Sequence, residues 1–239
     1  MEIKTLTVDL SKSIQHVCAF DNAQKLIFKK ALKNQSFHDL LRNTPPCTVI
    51  KEACATSHHW ARTAKNYGHT AKLIAPKFVK AFVADYKNDF NDALAIFEAA
   101  MRPRARFVAV KSVQQQEIAF LHRSRSRLVK DCTQLINQMR SYIKEFGYSA
   151  PMARGAFQKY IVELCDPSSE DLSSLVRTEL FAMYEELIQK NERIKTLDKT
   201  FSNIASKNII ALKLMKVPGI GPITATALLC EVGDFNVFE

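Results

Sequence analysis

Near Val113 the hydrophobic pattern changes period, and that change divides the chain. Upstream, apolar residues come in short runs broken by turn residues. Downstream, Leu121, Arg125, Leu128, Cys132, Leu135, Met139, Tyr142 and Phe146 recur at alternating spacings of four and three, a seven-residue repeat that becomes one stripe only on a helix. Arg125 is its single charged member, and Gly147 stops it. A second seam follows Asp166-Pro167-Ser168-Ser169, which reads as a helix start: Val176, Leu180, Met183, Leu187, Lys190, Ile194, Leu197, Phe201 and Ile204, with Lys190 the one exception. The two seams predict a coiled-coil hairpin within residues 106–208, with Met152 to Leu164 a shorter helix near its tip. The fold class expected is α/β followed by all-α.

The upstream part reads as a mixed sheet. Ile3 to Asp9, Ile14 to Phe20 and Lys25 to Leu32 are strand-like and separated by Ser11-Lys12-Ser13 and Asp21-Asn22-Ala23, the pattern of antiparallel hairpins. A short helix around Phe37 to Leu41, the breaker Pro45-Pro46, a strand Cys47 to Lys51, a helix His58 to Tyr67 stopped by Gly68, and a strand Ala71 to Ala75 follow. Pro76 then opens a helix running through Phe78, Val79 and Phe82. In such a sheet strand one lies centrally beside strand four, which makes Asp9 and Glu52 neighbours at strand ends. Asp89 and Asp92, three apart on the helix after strand five, point the same way and can cross the same sheet edge. Four uncompensated carboxylates in one cleft repel one another, an arrangement tolerated when cations neutralise them. Hard oxygen donors suit magnesium or manganese.

The formal charge of +10 favours a polyanionic partner, and its placement says more than its size. From Arg102 to Lys130 there are eight Arg or Lys residues and one acid, Glu117. Arg102, Arg104, Arg106, Arg123, Arg125, Arg127 and Lys130 are therefore candidate nucleic-acid contacts. Farther on, Val217-Pro218-Gly219-Ile220-Gly221-Pro222 reads as a hairpin between two helices, in which Gly219 and Gly221 permit a tight turn whose amides, with the next helix N-terminus, can hold a backbone phosphate. The six cysteines form no C-x-x-C pair and read as reduced core thiols. With no apolar signal region at Met1-Glu2-Ile3-Lys4 and no run near the ~18 residues of a membrane span, a cytoplasmic protein without membrane contact is expected.

Val8-Asp9-Leu10-Ser11-Lys12, Glu52-Ala53-Cys54-Ala55, Lys87-Asn88-Asp89-Phe90-Asn91-Asp92-Ala93, and Val217 to Pro222 through Glu231-Val232-Gly233-Asp234 resemble, in order, the transposases of insertion-sequence family 110/116/902, relatives of site-specific DNA invertases. The resemblance spans essentially the whole chain. It implies a RuvC-like, ribonuclease-H-type DEDD domain over 1–105, a coiled-coil region over 106–208, and from 209 the opening of a transposase domain bearing a helix-hairpin-helix. It implies Asp9, Glu52, Asp89 and Asp92 as catalytic and metal-binding acids, DNA and a structured guide RNA as partners, and a homo-oligomer. Ala55 stands where the family usually has Gly, and Phe90 where it often has Arg; neither change removes a ligand. The family's serine nucleophile lies well beyond the hairpin and has no counterpart before Glu239. A fragment or a truncated element product, unable by itself to recombine DNA, is therefore the expectation. The implied activity is metal-dependent DNA strand cleavage and transfer. A junction-resolving nuclease using metal-activated water and a non-catalytic nucleic-acid-binding fragment are the alternatives.

Overall fold

The protein is described from a computed structural model that covers residues 2–82, 89–168, 171–232 and 235, without the side chain of Asp89. It forms two compact units, Met1–Gln115 with the described part of Val232–Glu239, and Gln116–Glu231.

The first unit is a six-stranded mixed sheet with helices on both faces. Its strands are β1 (Thr5–Leu10), β2 (Ile14–Phe20), β3 (Leu26–Lys33), β4 (Thr48–Glu52), β5 (Thr70–Ile74) and β6 (Phe107–Val108), in the order β3-β2-β1-β4-β5-β6. β1 to β3 form the antiparallel meander, β1 pairs parallel with β4 and β4 parallel with β5, as the strand pattern predicts. The two-residue edge strand β6, antiparallel to β5, carries too little pattern to be read from sequence.

Alternation divides the strand residues between two cores. Leu6, Val8, Val17, Ala19 and Val49 meet Phe37 and Leu41 of α1 (Asn34–Asn43) and Trp60 and Ala64 of α2 (Ser57–Asn66). On the opposite face Ile50 and Ile74 meet Val79 of α3 (Pro76–Val79) and Ala95, Ile96 and Ala99 of α4 (Asp89–Ala100). Cys18 and Phe20 meet Ala93 and Phe97 there, with the Phe20 and Phe97 rings stacked at 3.7 Å. The helix opened by Pro76 passes into a 3-10 turn, Lys80–Phe82; residues 83–88, including Lys87 and Asn88, lie outside the described residues. His69 joins three elements. The Cys47 N–H donates to its Nδ1 at 3.1 Å, so Nε2 carries the ring proton and donates to the Leu41 carbonyl at 2.7 Å.

The second unit contains α5 (Val113–Glu145), α6 (Arg154–Leu164), α7 (Ser174–Ser206), α8 (Ile209–Leu214) and α9 (Pro222–Glu231). α5 and α7, each of 33 residues, run antiparallel: Arg125 pairs with Asp198, Cys132 meets Asn191, and Asp131 faces Lys190. Leu135, Met139 and Ile143 of α5, Phe157 and Ile161 of α6, and Leu180, Met183 and Leu187 of α7 share one core. The seams need two adjustments. Tyr142 and Phe146 are 45% and 52% exposed while Ile143 is buried, because a 3.6-residue turn drifts against a strict seven-residue repeat and carries the buried stripe one residue on. The Asp166 motif closes a local turn, its carboxylate accepting the Ser168 N–H at 2.8 Å, and α7 is instead capped by Ser173, whose hydroxyl accepts the Val176 N–H.

One residue breaks the pattern of β4. Lys51 points into the α1/α2 core, 1% exposed, with no hydrogen-bond partner for Nζ. The amine lies over the Phe37 ring at 4.7 Å and the Trp60 ring at 5.3 Å. Burial holds its pKa well below the usual lysine range, although the ring faces offset part of that cost for the cation. The unfolded chain therefore binds the extra proton over the interval below about 10.4, and stability rises with pH across it. Lys51→Met is expected to raise the urea midpoint at neutral pH by about 1–3 kcal/mol of stability, the cost of an unpaired buried donor, with the gain shrinking towards pH 10. Equal midpoints at neutral pH would mean that the rings compensate the amine in full.

Candidate active site and nucleic-acid surfaces

The acids are placed by the parallel pair at the sheet centre. Val8 lies opposite Lys51 in the β1/β4 register, so Asp9 and Glu52 follow one residue beyond at the carboxyl ends of adjacent strands. By alternation they turn away from the Lys51 side, towards α4. That helix packs across β1, β2 and β4, and its first turn carries Asp92. Burial, first, and then the charges of Asp9 and Asp92 raise the Glu52 pKa, while Lys80 lowers it. Glu52 is therefore close enough to both Asp9 and Asp92 to feel their charges. Asp89 begins α4 one turn before Asp92; its side chain lies outside the described residues. Among the described residues no three His, Cys, Asp or Glu side chains are already drawn into a cage for an ion. The donor set is nevertheless all hard oxygen, and the mutual repulsion felt at Glu52 is what a divalent cation would relieve.

Two neighbours of the acids are not apparent from motif reading. Lys80, on the 3-10 turn, is the cation that opposes the rise at Glu52. His16 pairs with Asp9 across the β1/β2 ladder, and its ring meets the Phe90 ring edge-on at 5.1 Å. A register counted from the turn Ser11-Lys12-Ser13 would bring residue 15 opposite residue 9; the observed register, with Leu10 opposite Gln15, places His16 there instead.

The basic stretch is one run in sequence and is divided between the two units. Arg102, Arg104 and Arg106 are exposed in the first unit, with the Arg102 guanidinium over the Phe82 ring at 5.3 Å. Lys111 is tied down there through its backbone, its N–H donating to His58 Nδ1 at 3.1 Å and its carbonyl accepting from Arg62 at 2.7 Å. Arg123, Arg127 and Lys130 are exposed on α5 in the second unit. Arg125 lies on the other side of that helix, where Nε reaches Asp198 at 2.5 Å and Nη2 reaches it at 3.4 Å. The turn between α8 and α9 holds Gly219 at φ +86°. A Cβ at Gly219 or Gly221 would meet nothing within 4 Å, so the turn faces open space.

Comparison with known proteins decides the lineage. Residues 6–147 match a transposase family profile of the DEDD type found in IS110 elements. The chain belongs to the IS110 transposase family. Residues 211–239 match a second profile, described as transposase of the IS116/IS110/IS902 family. A probable family 20 transposase of Pseudomonas aeruginosa is 36% identical over all of this chain and 71% of its own length. The transposase for insertion sequence element IS1111A of Coxiella burnetii is 34% identical over all of this chain and 65% of its length. The transposase for element IS1328 of Yersinia enterocolitica is 32% identical over 97% of this chain and 69% of its own. The chain thus spans about two thirds of these transposases. Among solved structures, T. thermophilus RuvC in complex with a Holliday junction substrate aligns over 45% of this chain and all of its own, at 14% identity and a TM-score of 0.31, a likeness that carries no conclusion.

For this IS110-family chain the crowded acids have a cost that can be measured. A carboxyl whose folded pKa is raised contributes stability below its unfolded pKa, about 4.3 for Glu, and loses it as pH rises through the folded value. Glu52→Gln is therefore expected to raise the melting temperature of the metal-free protein at pH 7 by a few degrees and to leave it unchanged near pH 4. Added magnesium should stabilise the parent more than the variant. A variant that melts below the parent at pH 7 would contradict the crowding.

Proposed function

We propose that the first unit is the cleavage module of an insertion-sequence transposase, acting on DNA with a divalent cation held by Asp9, Glu52, Asp89 and Asp92. The observation that carries this reading is the placement of Asp9 and Glu52 one residue beyond the Val8–Lys51 pair, at the ends of adjacent parallel strands covered by the helix of Asp92, in a chain of the IS110 family. Bound magnesium or manganese would supply charge to a scissile phosphate and its leaving oxygen. The residues of the chain supply the rest. Asp9 and Glu52, on strands buried on both faces, give two rigid donors, and the helix-borne acids close the set from the opposite side. Lys80 limits the excess negative charge. His16 and Phe90 wall the cluster on the β2 side.

The reading extends to the remaining parts. Residues 1–105 form the RuvC-like catalytic domain, 106–208 a coiled-coil region for self-association, and 209–239 the start of a transposase domain whose helix-hairpin-helix touches nucleic-acid backbone. The self-association surface is the distal end of α5 and α7, where Tyr142, Phe146 and Leu175 line an apolar hollow of about 370 Å³. Arg102, Arg104 and Arg106 serve nucleic acid near the cleavage module. DNA, and the structured guide RNA implied by family resemblance, are the partners.

A nicking assay with supercoiled plasmid, magnesium and the full chain tests the proposal. Asp9→Asn, Glu52→Gln and Asp92→Asn should each lower cleavage by at least a hundredfold while leaving binding to the plasmid within twofold. Cleavage that survives all three substitutions would remove the acids from the chemistry, and hydrolytic nicking without joined products would favour a nuclease over a recombinase.

A further inference from the structure

We propose that α5 and α9 enclose a seat for a nucleic-acid backbone, in which the Arg123, Arg127 and Lys130 row and the Gly219–Gly221 turn act together because His122 locks the two helices in register. The proposal rests on the nucleic-acid reading above and adds to it a specific surface and a positioning residue.

An open groove of about 590 Å³ runs along this part of the second unit, lined by His122, Arg123, Ser126, Arg127 and Lys130 of α5 and by Ala227, Cys230 and Glu231 of α9. Arg123, Arg127 and Lys130 are four and three residues apart, so they form one stripe, rising about 6 Å and then about 4.5 Å along the axis. Arg127 pairs with Asp131 at 3.5 Å, on a side chain 77% exposed, an i,i+4 surface pair worth little against a phosphate. Arg125 is committed to Asp198 and takes no part.

The register of the two helices follows from two contacts. Cys230 packs with Ile118 and Ala119, and one turn further along α5 His122 Nε2 meets Thr226 Oγ1 at 3.1 Å. α9 therefore runs opposite to α5, so the turn that precedes it lies towards the Arg127 and Lys130 end, outside the residues that line the groove. Glu231 marks the far, acidic end.

His122 is the lock. Its ring stacks on Phe201 of α7 at 4.1 Å and 17°. Thr226, fully buried, donates its hydroxyl proton to the Pro222 carbonyl at 2.8 Å, which leaves its oxygen to accept from His122 Nε2–H. A chain of two hydrogen bonds thus connects α5 to the first residue of α9, directly behind the turn. Burial, and then Arg125, lower the His122 pKa, which keeps the ring in the neutral form that stacks and donates once.

The test is fluorescence anisotropy of the full chain with three labelled probes: random-sequence duplex DNA, the same strand alone, and a stem-loop RNA. Arg123→Gln/Arg127→Gln/Lys130→Gln should weaken binding at least tenfold at low salt and flatten the slope of log K against log salt by two to three. Gly221→Asp places an acid at the helix-capping position, which α9 accepts, and should weaken binding by repelling phosphate. In the parent its effect and that of Arg127→Gln should be non-additive, because both touch one strand. In His122→Ala the two should become additive, and His122→Gln, which retains a donor, should restore part of the coupling. The probe that loses most identifies whether DNA or RNA is seated. A triple variant that binds like the parent with an unchanged slope, or additivity already in the parent, overturns the seat. If His122→Ala does not fold, the His122→Gln and Gly221/Arg127 comparisons decide alone. A parent that binds no probe refutes the nucleic-acid reading itself, a result separate from loss of the seat.

Discussion

The parallel pairing of β1 with β4 is the constraint on which the first unit depends. It places two strand ends side by side with both faces covered, α1 and α2 on one and α4 on the other. Any acids at those ends must then share a small volume, and the crowding at Glu52 follows from the pairing. The His69 bridge between Leu41 and Cys47 holds the entrance to β4, so the site is set from the far end of the strand as well as from its own.

The two units distribute different physical tasks. The sheet unit supplies rigid positions for charges that repel, which calls for strands whose side chains cannot retreat. The helical unit supplies long exposed faces on which cations can be spaced at helical intervals. A 33-residue helix gives room for a row of basic residues on one side and an ion pair to α7 on the other, so Arg123 and Arg125, two apart in sequence, have different surroundings.

Much of this was legible in the sequence wherever the signal was periodic. The five longer strands, the helices between them and the antiparallel long helices all lie near the positions their patterns predict. So does the central place of strand one beside strand four. What was not legible was direction. Strand alternation distinguishes the faces of Lys51 and Glu52 only once the neighbours of β4 are known, and nothing local says that Lys51 goes inward. The separation of Arg125 from the basic row depends on Asp198, 73 residues later. The drift of the buried stripe from Tyr142 to Ile143 reflects helix geometry accumulating over several turns, and His122 had no meaning until Phe201 and Thr226 were beside it. Asp89 remains placed by backbone alone, at the start of α4.

The adjacency of Lys51 and Glu52 has a consequence for how the sheet assembles. A slip of β4 by one residue against β1 exchanges the faces of every side chain on the strand. Val49 and Lys51 would turn towards α4, while Ile50 and Glu52 would turn towards Phe37 and Trp60. A carboxylate pressed against the negative faces of two rings lacks even the partial compensation that those rings give an amine. The mispaired sheet is therefore penalised at the centre of the domain, where parallel strands form late and errors are slow to correct. Glu52, rather than the buried Lys51, is the residue on β4 that disfavours the slipped register.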